Sequence, residues 1–126
     1  FSAALVCFWW SHIPKSKLND FLQVLHSKLS KGAAVVMLDN RYIEGNSTPI
    51  CRVDDDGNTF QIRTLTDGSK HEVLKNYPTR EEFHKRIEPS AEDFSFTLMD
   101  YYWLVYYRAK GINCQSQEMD TENLCR

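Results

Sequence analysis

Residues 3–10, Ala-Ala-Leu-Val-Cys-Phe-Trp-Trp, are apolar without alternation, and Pro14 follows closely. A run this short predicts a strand covered on both faces, as in a parallel sheet. From Ser16, a side chain suited to capping a helix, Leu18, Phe21, Leu22, Leu25 and Leu29 recur at helical spacing with Lys and Asp opposite. Lys31-Gly32 is a helix stop, because Gly adopts the left-handed turn and Lys suits the negative helix end. Residues 33–39, AAVVMLD, are a second apolar run. Strand, helix, strand is a βαβ unit, with parallel strands and a right-handed crossover. Parallel strands end on one side, so Trp9–His12 and Asp39–Tyr42 are expected to share one edge. Open α/β sheets bind ligands outside those carboxyl ends.

The pattern then changes. Residues 50–76 read as three short strands joined at Asp56-Gly57 and Asp67-Gly68, where Gly supplies the positive φ of a hairpin turn. They predict an antiparallel β insert occupying residues 43–78. Thr79-Arg80-Glu81-Glu82 is a capping box for a short helix, with Phe83 and Ile87 inward and Pro89 beyond its end. Residues 94–99 and 102–109 predict a closing antiparallel pair. The folded domain is expected over residues 1–110, and the polar, aperiodic stretch 111–126 as a disordered tail.

Composition narrows the function classes. A net charge of −2 gives no electrostatic case for nucleic acid or an anionic membrane surface. Phe1–Trp10 has no basic leader, no small-residue cleavage site, and too few residues to span a bilayer. Cys7, Cys51, Cys114 and Cys125 form no CxxC pair and have no His at zinc spacing, which predicts free thiols and a cytoplasmic location. No metal site is expected. Asp54-Asp55-Asp56-Gly57 lacks the spaced ligands of a calcium loop and reads as a turn. His26, His71 and His84 are expected on the surface.

The shared strand edge supplies the candidate chemistry. His12 sits there with an intrinsic pKa near neutrality, and is the acid/base candidate; a loop-capping imidazole is the competing role. Asp39 or Tyr42 is placed to orient a substrate hydroxyl or amine, and Arg41 to meet a carboxylate. Trp10 and Asn40 are substrate-side candidates at the same edge. These polar residues equally fit a loop that satisfies its own backbone.

Taken in order, ALVCFWWSHIP, the Lys31-Gly32 junction, VVMLD, NRYIEGNSTPI, NYPTREEF and the final aromatic pair resemble the second half of the class I S-adenosylmethionine-dependent methyltransferase fold. The match runs from its fourth strand to its seventh, over residues 1–110. The resemblance implies an incomplete Rossmann-like methyltransferase sheet: a parallel βαβ core, an antiparallel insert, a helix and a closing strand pair. It places Cys7, Phe8 and Trp9 along the methionine and sulfonium part of S-adenosylmethionine, and implies a small-molecule methyl acceptor with His12 and Tyr42 as catalytic candidates. The family's glycine-rich cofactor loop is missing, and Ser2 stands where an acidic residue commonly opens the fourth strand. The chain is therefore expected to be cut inside a domain, to bind the cofactor poorly and to be inactive alone. Two other readings stay open: a non-catalytic α/β module that pairs with a partner through its exposed first strand, and a form that self-associates there.

Overall fold

A computed structural model describes residues 1–111. The expected tail, with Cys114 and Cys125, lies outside the described residues apart from Gly111. Strand β1 (Ala3–Cys7) leads through two 3₁₀ turns, Trp10–His12 and Lys15–Lys17, into α1 (Leu18–Ser27) and then β2 (Ala34–Asn40). Strands β3 (Arg52–Val53), β4 (Thr59–Thr64) and β5 (Lys70–Leu74) form the meander. Helix α2 (Arg80–Ile87), β6 (Ala91–Leu98) and β7 (Tyr102–Ala109) complete the chain.

The main sheet has the order β1-β2-β7-β6, and the meander is a separate sheet, β3-β4-β5. β1 and β2 are parallel from Ala3 opposite Ala34 to Cys7 opposite Leu38. β7 runs antiparallel to both β2 and β6. The expected α/β class, with a parallel core, antiparallel insert and antiparallel closing pair, is the one observed.

Both helices cover one face of the main sheet. Leu18 and Leu22 of α1 and Phe83 and Ile87 of α2 bury against Val35, Met37, Trp103, Val105 and Tyr107. Fully burying an apolar side chain of this kind is worth roughly 1.5–3 kcal/mol. Trp10 stacks on Phe83 with ring centroids 4.1 Å apart, and Trp103 meets Phe83 edge-on at 5.4 Å. Trp103 Nε1 has no hydrogen-bond partner within this aromatic cluster. Thr79 caps α2, its hydroxyl accepting from the Glu82 amide at 3.1 Å.

The structure corrects the sequence in three places. The first strand is not covered on both faces and does not reach residue 10. It ends at Cys7, Ala4 and Val6 face the core, and Leu5 on the other face is 72% exposed. Among the described residues β1 is an edge strand, and no helix covers its outer face. Ser16 does not cap α1; a 3₁₀ turn comes first, and Lys17 holds the cap position without a side-chain bond.

The third correction concerns His26. It is buried at the end of α1, its Nε2 2.6 Å from the Tyr107 hydroxyl, whereas the sequence places it on the surface. Leu18, Leu22 and Leu25 share its helical stripe, so the histidine lies on the apolar side of α1. Burial lowers the His26 pKa and raises that of Tyr107. The pair is therefore neutral near pH 7, which suits a dry contact.

Because His26 titrates lower in the folded chain than its ordinary 6.5, the unfolded chain binds the proton first on acidification. The native state is thus expected to lose stability as pH falls below about 6.5, levelling once the folded histidine protonates. Urea denaturation between pH 7.5 and 5 should show this slope, and H26Q should flatten it. Y107F should cost about 1 kcal/mol at pH 7 through the lost hydrogen bond.

Candidate functional site

The parallel pair brings two chain segments to one sheet edge. After Cys7 the Phe8 amide donates to the Leu38 carbonyl at 2.8 Å, extending the β1–β2 ladder by one bond. Phe8 then takes φ +56°, in the left-handed region that a non-glycine residue occupies at a cost of roughly 1–3 kcal/mol. This reversal turns Trp9 outward and sends Trp10–His12 into a tight turn across the tip of β2. Cys7, Phe8 and Trp9 lie exposed beside the free edge of β1. Trp10 packs into the core, 2% exposed, rather than toward the acceptor side.

Asp39, the next-to-last residue of β2, is fully buried. One carboxylate oxygen accepts from the Ser11 amide at 3.0 Å. The other accepts from the Asn40 amide at 2.7 Å and from Lys75 Nζ at 3.0 Å. Lys75 sits just past β5. Its ammonium also donates to Ser11 Oγ at 2.8 Å and Asn40 Oδ1 at 3.1 Å, so all three protons are used. The two side chains are 0% and 5% exposed. Charges desolvated to this degree are tolerated only when each is paired and hydrogen-bonded. The Asp39 carboxylate is accordingly spent on Ser11, Asn40 and Lys75.

A second set of bonds fixes the insert beside this pair. The Asn76 amide donates to the Ser11 carbonyl at 2.7 Å, and its side-chain NH₂ donates to Asn58 Oδ1 at 2.9 Å. Asn58 Oδ1 also accepts from the Lys15 amide at 2.9 Å. His12 Nδ1 lies 2.9 Å from the Leu74 carbonyl oxygen. A carbonyl only accepts, so Nδ1 carries the proton and Nε2 presents a lone pair in the neutral ring. The loop anchor thus occupies one nitrogen of a half-buried imidazole and leaves Nε2 without a partner among the described residues.

Beneath the insert, next to the tip of β2, lies a cleft of about 240 Å³. Asn40, Arg41, Arg63, Lys75, Tyr77 and Tyr101 are among its walls. Arg41 is held by its amide to the Tyr101 carbonyl at 3.0 Å and by Nη1 to the Met99 carbonyl at 2.8 Å. Tyr42 packs edge-on against Tyr77 with centroids 5.3 Å apart. A larger groove, about 1070 Å³, runs between α1 and α2, but Cys7, Phe8, Asp39, Asn40 and Arg41 are absent from its lining. Among the described residues no helix is long and apolar enough to cross a membrane, and no three His, Cys, Asp or Glu side chains cluster as metal ligands would.

Sequence reasoning locates His12, Asp39, Asn40, Arg41 and Tyr42 at this edge. It places Ser11 there without a role, and it misses Asn58, Arg63, Lys75, Asn76 and Tyr77. Lys75 and Asn76 follow an exposed hairpin in a polar stretch, and nothing local marks them as buried. The side-chain partners of Lys75 lie 35 to 64 positions away and those of Asn76 lie 17 to 63 positions away.

No family model matches the chain. No curated protein matches it either. Solved structures do share its fold. The DhpI–SAH complex superposes with a TM-score of 0.65 at 18% identity, over 89% of this chain and 48% of that one. The DhpI–SAM–HEP complex gives 0.62 at 20% identity, over 86% and 50%. PH0226 from Pyrococcus horikoshii OT3 gives 0.63 at 14% identity, over 87% and 55%. The chain therefore shares the α/β fold of these structures and spans about half the length of the structures it matches. Identities this low speak to fold alone.

Removing one member of a buried ion pair leaves the other charge without a partner, at a cost of about 3–5 kcal/mol. K75M should lower unfolding free energy by that amount in urea titrations. The double variant D39N/K75M should recover part of the loss, because both charges then go together.

Proposed function

We propose that this chain is the acceptor-side part of an S-adenosylmethionine-dependent methyltransferase acting on a small molecule in the cytoplasm. The observation that carries the reading is the likeness in fold to DhpI structures holding SAH, and SAM with HEP. The parallel β1 and β2, which deliver both candidate segments to one edge, support it.

The residues fit one end of the cofactor. Phe8 and Trp9 leave aromatic faces exposed where a sulfonium would lie, and a cation beside an aromatic face is favourable. Cys7 is a free, exposed thiol beside them. The glycine-rich cofactor loop is not supplied: the five glycines, at 32, 45, 57, 68 and 111, lie in turns and the carboxyl-terminal stretch. On this reading the chain alone binds the cofactor weakly and turns over poorly. When bound, the cofactor supplies an electrophilic methyl group. The protein's part is to align an acceptor with it, exclude water and take up the acceptor's proton. His12 Nε2 has the free lone pair for that uptake, with Nδ1 fixed to Leu74. Asn40, Arg41 and Tyr42 position the acceptor, and Asp39 acts through them and Ser11 rather than by touching substrate.

A second reading rests on a separate observation. Among the described residues the outer edge of β1 is unpaired, and Leu5 is largely exposed beside it, so strand addition by a second copy or another protein would be a non-catalytic use. A light-scattering mass of a dimer, lost on L5K, would favour it.

Calorimetric titration with SAH tests the first reading. Weak, saturable binding is expected for this chain, and tighter binding for a form extended at its amino end. No heat in either form would overturn it. In the extended form H12Q should lower kcat by about 10²–10⁴-fold with little change in cofactor affinity, as loss of a general base does.

A further inference from the structure

The cleft under the insert has an unbalanced charge. Of its three cations, Lys75 is neutralised by Asp39, and all its protons are committed. Arg41 and Arg63 form no salt bridge with any described residue, and no Asp or Glu lines the cleft. Arg41 donates one bond, to Met99, and retains the other four N–H groups of its guanidinium. Two arginines, Arg41 half-buried and Arg63 exposed, leave a positive potential along one concave surface.

The neutral groups around the cleft point the same way. Gln61 Nε2 donates to both the Thr48 carbonyl and the Tyr77 hydroxyl oxygen. Its two hydrogens are thereby used, and the Tyr77 hydrogen is left for another acceptor. Burial raises the Tyr77 pKa, so the phenol remains a donor at neutral pH. The cleft thus offers guanidinium and phenol donors around a space of about 240 Å³. That is below the roughly 300–1,000 Å³ usual for drug-sized ligands. It suits a small group with several acceptor oxygens.

We propose that this cleft is an oxyanion site in which Arg41, Arg63 and Tyr77 hold a carboxylate or phosphate-like group. On the methyltransferase reading above, that group is the anionic end of the methyl acceptor. Arginine is the side chain suited to this, since its planar fork meets two oxygens at once. The site stands at the β2 tip through Asn40, and one residue from the Leu74 carbonyl that holds His12.

Backbone amide NMR of the whole chain, titrated at low ionic strength with inorganic phosphate, acetate and acetamide, tests the site. Saturable shifts at Thr48, Gln61 and Tyr77 are expected with at least one of the two anions, and none with acetamide. Tighter binding of phosphate assigns a tetrahedral oxyanion, and tighter binding of acetate a planar one. R63Q and R41Q should each weaken that binding at least tenfold, while R108Q, on the far end of β7, should leave it unchanged. Shifts that never saturate, or binding indifferent to R63Q and R41Q, would overturn the proposal. Anion binding without SAH binding would retain this site and remove the methyltransferase reading; SAH binding without anion binding would do the reverse.

Discussion

The ammonium of Lys75 sits where β2, the turn after β1 and the end of β5 meet, and it is satisfied only if all three are in place. Asp39, Asn40 and Ser11 come from two segments of the parallel core, and Lys75 from the insert. A buried charge is intolerant of partial pairing, so the interaction acts as a registration device more than as a source of net stability. The same contact sets the position of Leu74, whose carbonyl orients His12, and of Asn76, which closes the loop network to Asn58 and Lys15. Cleft, imidazole and insert are thereby fixed relative to one another by one short stretch, Leu74–Asn76.

That arrangement explains an apparent excess of rigidity at the sheet edge. Phe8 bears left-handed backbone strain, Trp10 is locked against Phe83, and Ser11 gives its amide, carbonyl and hydroxyl to three different partners. A loop after a strand is ordinarily the mobile part of an α/β fold. Here it is held from below by the core and from above by the insert. Such preorganisation would serve the proposed acceptor site, because alignment of the reacting groups is costly to establish at each encounter.

The two faces of the sheet differ sharply. The helix-covered face buries Val35, Met37, Trp103, Val105 and Tyr107, whereas Leu5, Val36, Leu38, Leu104 and Tyr106 on the other face are exposed or half-exposed. Apolar residues on both faces are the mark of a strand meant to be sandwiched, which is why the first run reads as doubly buried in sequence. Apolarity in a strand records which environments it suits. Which of them is filled depends on the chain around it.

Elements whose cause lies within a few residues were legible beforehand. The βαβ unit followed from two apolar runs and a helical stripe, the capping box at Thr79 from four consecutive residues, and the hairpins from Asp-Gly turns. His12, Asn40, Arg41 and Tyr42 were placed at the edge because parallel strands must end together. Burial of His26, the role of Lys75 and the arrival of Arg63 and Arg41 at one cleft were settled only by tertiary structure. Each depends on which side chain arrives from a distant segment, and a desolvated polar group is stabilised by that arrival alone. Local periodicity determines which face a residue takes; what meets it there is a property of the folded whole.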